Sequence, residues 1–530
     1  MRSLDKNELQ IHVKSKRHIE SPRHIKVFKV TATHGNEVIA SLKIWKIVRT
    51  EFRDDFLVTL YEELFELSEL FDKYGRVRPR IIEPGYHSGT MCWGEELNKG
   101  DLFYIFSVSV KEELHVNGQG IGSWLLNKFL RSQRIQQEDI VICWPTYNDI
   151  DDPVEETGDR QVAFFRKNHF RRIGRTRFFG YSRNNRHVSR LLSIEEDVEE
   201  LGAGFKEAPT DPQREYPLRH AIRCDKTSRI VDTIQEYYDR DPSSIHAFDW
   251  AGFTPLHTAA DNVNLFALRK LLSWDMSADL VNITNASGET PLGALQLQMN
   301  CDRTDVDTQL VYNWEGYPED ELEAEFLLKQ RMGIPVPSTL GEYIQKSRYG
   351  CTCGQCTGGW LSPRMRFQLS CKAAYAMDTM PEFYDEFTQG KPGDLTQLYY
   401  LHSDYIPPTF QSNFYLSFYE GYCNVFRAIY ELLESTDEIL SVETVERRLP
   451  GTSYYLRKGG RIEFVLDAIT NTAYEASALR DNEHEEIFGE DEGWTALPTC
   501  ANDLDFQLVR TVLGLIPGKR WGPYQLISYR

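Results

Sequence analysis

Two short stretches carry residues whose types and spacing could do chemistry. The first is HVNGQGIGSWLLNKFL, residues 115–130, with glycines at 118, 120 and 122 followed by an amphipathic helical pattern. Directly before it lies the strand-like run DLFYIFSVSV. Glycines between a strand and a helix let backbone N–H groups approach a phosphate, and the helix start adds partial positive charge. The second stretch is RYGCTCGQCTGGWLSPRM, which holds Cys351, Cys353 and Cys356 among glycines at 350, 354, 358 and 359. Three thiols so close, in tight turns, suit a soft ion such as zinc. The fourth ligand is expected at Cys371, on a helix begun by the N-cap and N1 pair Ser362–Pro363, with His402, Cys423 and Cys500 in reserve. Free thiols are the plainer alternative. A closed four-thiolate site would staple the fold, because it leaves no coordination position open for catalysis.

Known phosphate loops narrow the first stretch. A nucleotide P-loop needs GxxxxGK[ST], and the lysine is missing after Gly118. A dinucleotide fingerprint needs GxGxxG, and Ser123 stands at its third glycine. Its acidic residue is missing too, since Glu138 and Asp139 precede the next strand instead of ending it.

The elements around the loop read as one α/β domain. Residues 25–33 and 37–48 are β-rich runs joined by the turn HGN. Phe52, Phe56, Leu60, Leu64 and Phe71 share one face of an expected helix of about six turns, ended by Gly75. The strand 101–110, the glycine loop, a helix, the strand 139–145, a helix through Gly174 and a last strand at 176–182 follow. Residues 184–215 are acidic with Gly and Pro, a linker signature. Beyond them DWAGFTPLHTAADN (249–262) recurs weakly as NASGETPLGALQ (285–296), with an earlier echo in YPLRHAIR (216–223). GWTALPTCAND (493–503) echoes the start of the same pattern faintly.

The order strand, Asn117-Gly118-Gln119-Gly120-Ile121-Gly122-Ser123, helix resembles the [RQ]xxGx[GA] loop of GNAT-family N-acetyltransferases. AFFRKNHFRRIG resembles that family's YxKxGF-like run, and FFGYS its closing strand; the likeness spans about residues 25–182. It implies acetyl-CoA as cofactor, held by Gln119, Gly120, Ile121, Gly122 and Ser123, with Val108 and Val110 pairing the pantetheine arm and supplying the oxyanion donor. It implies an amine as acetyl acceptor. Glu112 and Glu113 at the strand end are the candidate bases, and as surface carboxylates they have a plainer reading. Phe165 stands where the leaving-group Tyr is often found, so Tyr181, Tyr147 or water would have to protonate the thiolate. Asn117 replaces the usual Arg or Gln, and His169 replaces the Gly of "GF".

The spacing of the TPLH units resembles ankyrin repeats, which serve as scaffold or protein-docking surface. Together with the cysteine segment they give the chain the look of multidomain fungal proteins described by their ankyrin repeats. The expected organisation is an acetyltransferase-like mixed sheet domain (1–183), an acidic linker (184–215), ankyrin-like repeats (216–300), a helical region with the zinc-knuckle-like segment (301–380) and a helical C-terminal region (381–530).

Net charge is −19 over 530 residues, but residues 1–190 carry +5 and the remainder −24. The acidic part argues against nucleic acid as a partner there and suits a cationic acceptor. The cluster FRKNHFRRIGRTRFF (165–179) is the one expected anion dock. No apolar run reaches membrane-spanning length, and MRSLDKNELQ does not read as a signal peptide. Reduced thiols and an intracellular location, cytoplasm or nucleus, are therefore expected. Two functions follow: an acetyl-CoA-dependent N-acetyltransferase, or a non-catalytic interaction scaffold with a CoA-binding or relic domain.

Overall fold

The computed structural model describes residues 6–52, 56–111, 119–145, 154–200, 209–307, 314–395, 402–435, 438–449, 454–476 and 492–515. The chain divides into a sheet unit, Met1–Thr210 with Trp250–Gly252 and Thr284–Glu289, and a helical unit, Asp211–Asp249, Phe253–Ile283 and Thr290–Arg530.

The sheet unit is built on β1 (Gln10–Arg17), β2 (Ile25–His34), β3 (Glu37–Ile47), β4 (Leu102–Val110), β5 (Ile140–Cys143), β6 (Arg171–Arg172) and β7 (Phe179–Ser182). They form one mixed sheet in the order β1-β2-β3-β4-β5-β7-β6. Every pairing is antiparallel except β4 with β5. A parallel pair needs a crossover, and the helix α2 (Ile121–Leu130) supplies it. Both faces are covered, so the central strands read as nearly continuous apolar runs. Leu125, Leu126, Phe129 and Leu130 of α2 cover Val30, Leu42, Phe103 and Val141 on one face. Phe56, Leu60 and Leu64 of α1 (Phe56–Leu64) cover Val27, Trp45, Ile47 and Leu102 on the other.

Four elements differ from the sequence reading. β1 is an additional strand: QIHVKSKR is almost wholly exposed and pairs along β2 as a charged edge, so it carries no burial signal. The expected six-turn helix is the shorter α1, because Leu64 leaves helical geometry (φ −141, ψ 30) before a 3-10 turn at Phe65–Glu69. Leu67, Leu70 and Phe71 keep the apolar spacing past that break and hide it from a periodicity argument.

The helix expected through Gly174 stops early. α3 (Val154–Lys167) is closed by His169 at φ +66. The Phe170 N–H donates to the Phe165 carbonyl at 3.1 Å, and the His169 N–H to the Arg166 carbonyl at 3.1 Å. That is the Schellman pattern, with its hydrophobic contact made by the rings of Phe165 and Phe170 at 5.2 Å. Finally, part of the expected linker packs onto the sheet unit. Ser189 is buried, and the Asp197 carboxylate takes Arg166 Nε at 2.8 Å and the Arg172 N–H at 3.1 Å.

In the helical unit the TPLH echoes become stacked helix pairs: α4 (Pro217–Cys224) with α5 (Arg229–Arg240), α6 (Pro255–Asp261) with α7 (Leu265–Leu271), and α8 (Pro291–Asp307) with α9 (Glu319–Arg331). α6 packs between α4 and α8, and α7 between α5 and α9. The third pair ends at Arg331, beyond the expected limit of 300. Thr254 caps α6 by accepting from the His257 N–H at 3.3 Å, while His257 Nδ1 accepts from the Thr254 N–H at 3.3 Å. The tight turn before that cap, with Asp249 N–H on Phe253 O at 3.0 Å, recurs as Asn285 N–H on Glu289 O at 2.9 Å. One continuous core runs from Leu218 through α10 (Pro363–Thr379), α11 (Leu416–Glu434) and α12 (Ile462–Ala476) to α13 (Phe506–Val512). Repeats, cysteine segment and C-terminal region are therefore one packed body. No helix among the described residues is long and apolar enough to cross a membrane.

His169 tests the helix stop. A non-glycine residue in this region bears about 1–2 kcal/mol of strain, partly offset by the larger unfolded-state entropy of glycine. His169→Gly should raise stability by about 0.5 kcal/mol and His169→Val lower it by about 1–2 kcal/mol, read from urea midpoints of the sheet unit.

Candidate functional site

Two places gather chemistry-bearing groups, one in each unit. In the sheet unit, β5 pairs with β4 only from Leu102↔Ile140 to Ile105↔Cys143. A register shift falls between Lys43 and Ile44, which pair with Ser107 and Ile105, so Phe106 is an extra residue on β4. Beyond it, the Lys111 N–H bonds to the Ile39 carbonyl. Pairs alternate along an antiparallel ladder, so Ser109 and Ser107 also bond toward β3. Val108 and Val110 therefore turn their main-chain N–H and C=O away from β3, toward the side where β5 has ended.

α2 starts at this opening. Gly120 is its N-cap at φ +72, with no side-chain cap, so the first-turn N–H groups at Ile121, Gly122 and Ser123 lack a side-chain acceptor at the N-cap. Gly122 sits where a Cβ would meet Val110 Cγ2 at 3.3 Å and the Phe164 ring at 3.5 Å, so glycine lets the helix lie close to β4 without a shift of Val110. Lys6 Nζ lies 3.3 Å from the Cβ position of Gly120 and brings a cation to the loop. The start of α2 is fixed from behind by the buried Asn168: its Nδ2 donates to Ser123 Oγ at 3.0 Å and Phe164 O at 2.8 Å, and its Oδ1 accepts from Asn127 Nδ2 at 2.9 Å. No sequence motif pointed to Asn168 or Lys6.

The structure thus brings Val108, Val110, Gly120, Ile121, Gly122 and Ser123 together, with Gln119 beside them. Tyr181 is elsewhere. It is buried, packs on Phe170 at 5.3 Å, and pairs with Val141, which pairs with Phe103. Phe103 is five residues before Val108, about 17 Å along the strand. Glu112, Glu113, Asn117, Gly118 and Tyr147 lie outside the described residues.

The basic cluster expected to dock an anion is occupied by the chain's own carboxylates. Arg166 meets Asp197 at 2.8 Å and Glu199 at 3.3 Å, Arg172 meets Glu200 at 3.5 Å, and Arg177 meets Glu69 at 2.8 Å. Burial lowers the Arg172 pKa, an effect opposed by Glu200 and Glu199. A linker rich in acid beside a helix end rich in base explains both compositions at once.

In the helical unit the sulfurs of Cys351, Cys353, Cys356 and Cys500 all lie within 4.8 Å of one another. The fourth thiol is Cys500 in place of Cys371. Cys371 is the ninth residue of α10, about 12 Å along the helix from its start, whereas the cysteine loop precedes that start. Cys500 stands 144 residues from Cys356, and no local pattern links them. Neighbouring S···S distances are 3.7 Å (Cys351–Cys353), 3.8 Å (Cys353–Cys356) and 3.5 Å (Cys356–Cys500). Donors point at the sulfurs from outside: the Gln355 N–H to Cys353 at 3.4 Å, Asn502 Nδ2 to Cys356 at 3.8 Å, and Thr352 Oγ1 to Cys500 at 3.8 Å. Burial first, then the neighbouring thiols, push Cys353 up to about 12, while hydrogen bonds from Cys351 and Cys356 depress Cys500. Without a cation, thiols this close resist multiple ionisation; with one, all four are available as thiolate donors.

Compared with protein-family models, curated proteins and solved structures, the chain matches none.

Asn168→Ala tests the support behind α2. It removes the donor to Ser123 Oγ and one of two acceptors of the Asn127 amide, which keeps Ser123 O at 2.8 Å, while the Phe164 carbonyl keeps the Asn168 backbone N–H at 3.2 Å, so stability should fall by about 1–2 kcal/mol in urea unfolding.

Proposed function

We propose that the sheet unit binds acetyl-CoA and transfers its acetyl group to an amine. The observation that carries this reading is the opening past Ile105–Cys143, where β4 has lost its parallel partner and α2 begins. Main-chain groups of Val108 and Val110 suit an amide-rich arm added as a strand, and the glycine-lined start of α2 with Lys6 suits a pyrophosphate. The end of α3 also supports it. Where the GNAT-like run has Gly and Phe, this chain has His169 in the left-handed region and Phe170 anchored on Phe165, a position that ordinarily favours glycine.

Bound there, the thioester supplies an acyl group open to attack by an amine. The N–H of Val108 or Val110 is the donor available for the developing oxyanion. Phe165 has no proton to give and Tyr181 is distant, which leaves Tyr147 or water to protonate the leaving thiolate. The same facts favour a second reading, a CoA-binding protein without turnover whose ankyrin-like stack, capped at Thr254–His257, docks a protein partner. The two readings part on one measurement. Calorimetric titration with acetyl-CoA should show saturable binding that Gly120→Trp abolishes; with binding but no acetyl transfer to any of a panel of amines, the second reading stands. Absence of binding to the folded parent refutes both.

The cysteine centre fits structural zinc. Four sulfurs about 2.3 Å from one ion define a tetrahedron with edges of about 3.8 Å, close to the three S···S distances above. Such a site contributes about 10–16 kcal/mol of binding free energy in small domains. Elemental analysis should find one zinc per chain, retained in Cys371→Ser and lost in Cys500→Ser.

A further inference from the structure

We propose that the four-thiol centre is a clasp for the segment Glu492–Asp503, and that peroxide oxidation of its sulfurs opens it. The proposal rests on the zinc reading of this same site.

The segment has little else to hold it. Its one helix, Glu492–Thr495, has four residues, far below the length at which a helix persists alone. From Glu492 to Asp503 the only buried apolar side chain is Trp494, which meets the Phe367 ring at 5.2 Å and the Arg364 guanidinium at 5.0 Å. α13, just beyond, differs: it buries Phe506, Leu508 and Val509 in the main core. The remaining anchors of the segment are polar, and most run to the cysteine loop and to the start of α10. The Ala501 N–H donates to Thr352 Oγ1 at 2.9 Å, Asn502 Nδ2 to Gly359 O at 3.2 Å, and Ser362 Oγ to Asp503 Oδ1 at 2.5 Å. The loop that offers these partners is itself irregular, with Gly350, Gly354, Gly358 and Gly359 all at positive φ. Two of these hydrogen bonds are buried, but at a net of about 1 kcal/mol each they fall short of the entropy of fixing two irregular segments. Four bonds to one ion can fix them, and they cross-link positions 144 residues apart.

The four cysteines are half-buried, so a small oxidant reaches them. Two thiolates pass an electron pair to one peroxide molecule. A sulfur–sulfur bond forms, the oxygen–oxygen bond breaks, and two hydroxides leave. The two thiolates that remain no longer enclose the ion, which departs as the divalent cation. Asp503 then loses its fixed approach to Ser362, and Trp494 its fixed seat on Phe367. A reductant with zinc reverses each step.

Hydrogen-exchange mass spectrometry of the full chain, with zinc content followed in parallel, tests this. The zinc-loaded protein should protect amides in 492–503. A zinc chelator should remove that protection while 506–512 and the sheet unit keep theirs, and stoichiometric hydrogen peroxide should release zinc with the same local loss, restored by dithiothreitol and zinc. Cys500→Ser should show the local loss without any chelator, and chelation of the parent answers the question if that variant does not fold. Zinc leaving with protection at 492–503 unchanged overturns the clasp while leaving the zinc site intact. A parent that binds no zinc overturns both. Zinc retained under peroxide overturns the oxidative opening.

Discussion

The sheet unit depends on one constraint: a strand can satisfy its main chain on both sides only where it has two neighbours. β4 has β3 along its whole length but β5 only as far as Ile105. The extra residue at Phe106 and the end of β5 leave the outward main-chain groups of Val108 and Val110 with no neighbouring strand among the described residues. Other features of this unit meet at that end of β4. Gly122 lets α2 lie against Val110, Gly120 turns the chain into the helix without a capping side chain, and Asn168 locks the helix start from behind.

In the helical unit the corresponding constraint is shortness. α6 and α7 have seven residues each, too few to be stable in water, so they exist only as members of a stack. Their ends are closed by side chains that also reach across the stack. Asn264 caps α7 through the Ala267 N–H at 3.1 Å and donates to Ile222 O at 2.7 Å and Asp225 O at 2.9 Å at the end of α4. Farther along, where the irregular loop before α10 meets the short segment that carries Cys500, four sulfurs converge.

Charge follows the same economy. The arginines at the end of α3 and in the turn after it are an apparent anion site only when read without the acidic residues that follow. Asp197, wholly buried against Arg166, shows that the acidic run is part of the same structure. Buried pairs of this kind fix position more than they add stability, and here they hold the acidic run that follows β7 against the end of α3.

What the sequence determined by itself was local. The hairpin of β2 and β3, the strand–glycine–helix passage at 101–130, the Ser362–Pro363 helix start and the TPLH cap all follow from residue type and short spacing, because their hydrogen bonds close within a few residues. The exposed edge β1 was illegible because edge strands need charge and bury little. The stop of α3 was illegible because a histidine holds a conformation that glycine usually marks. Only the tertiary structure could decide that Cys500, not Cys371, completes the thiol cluster, that the acidic run belongs to the sheet unit, and that Tyr181 lies far from Val108. Those three outcomes depend on which distant segments meet, and sequence spacing carries no information about a contact whose closing loop runs to 144 residues.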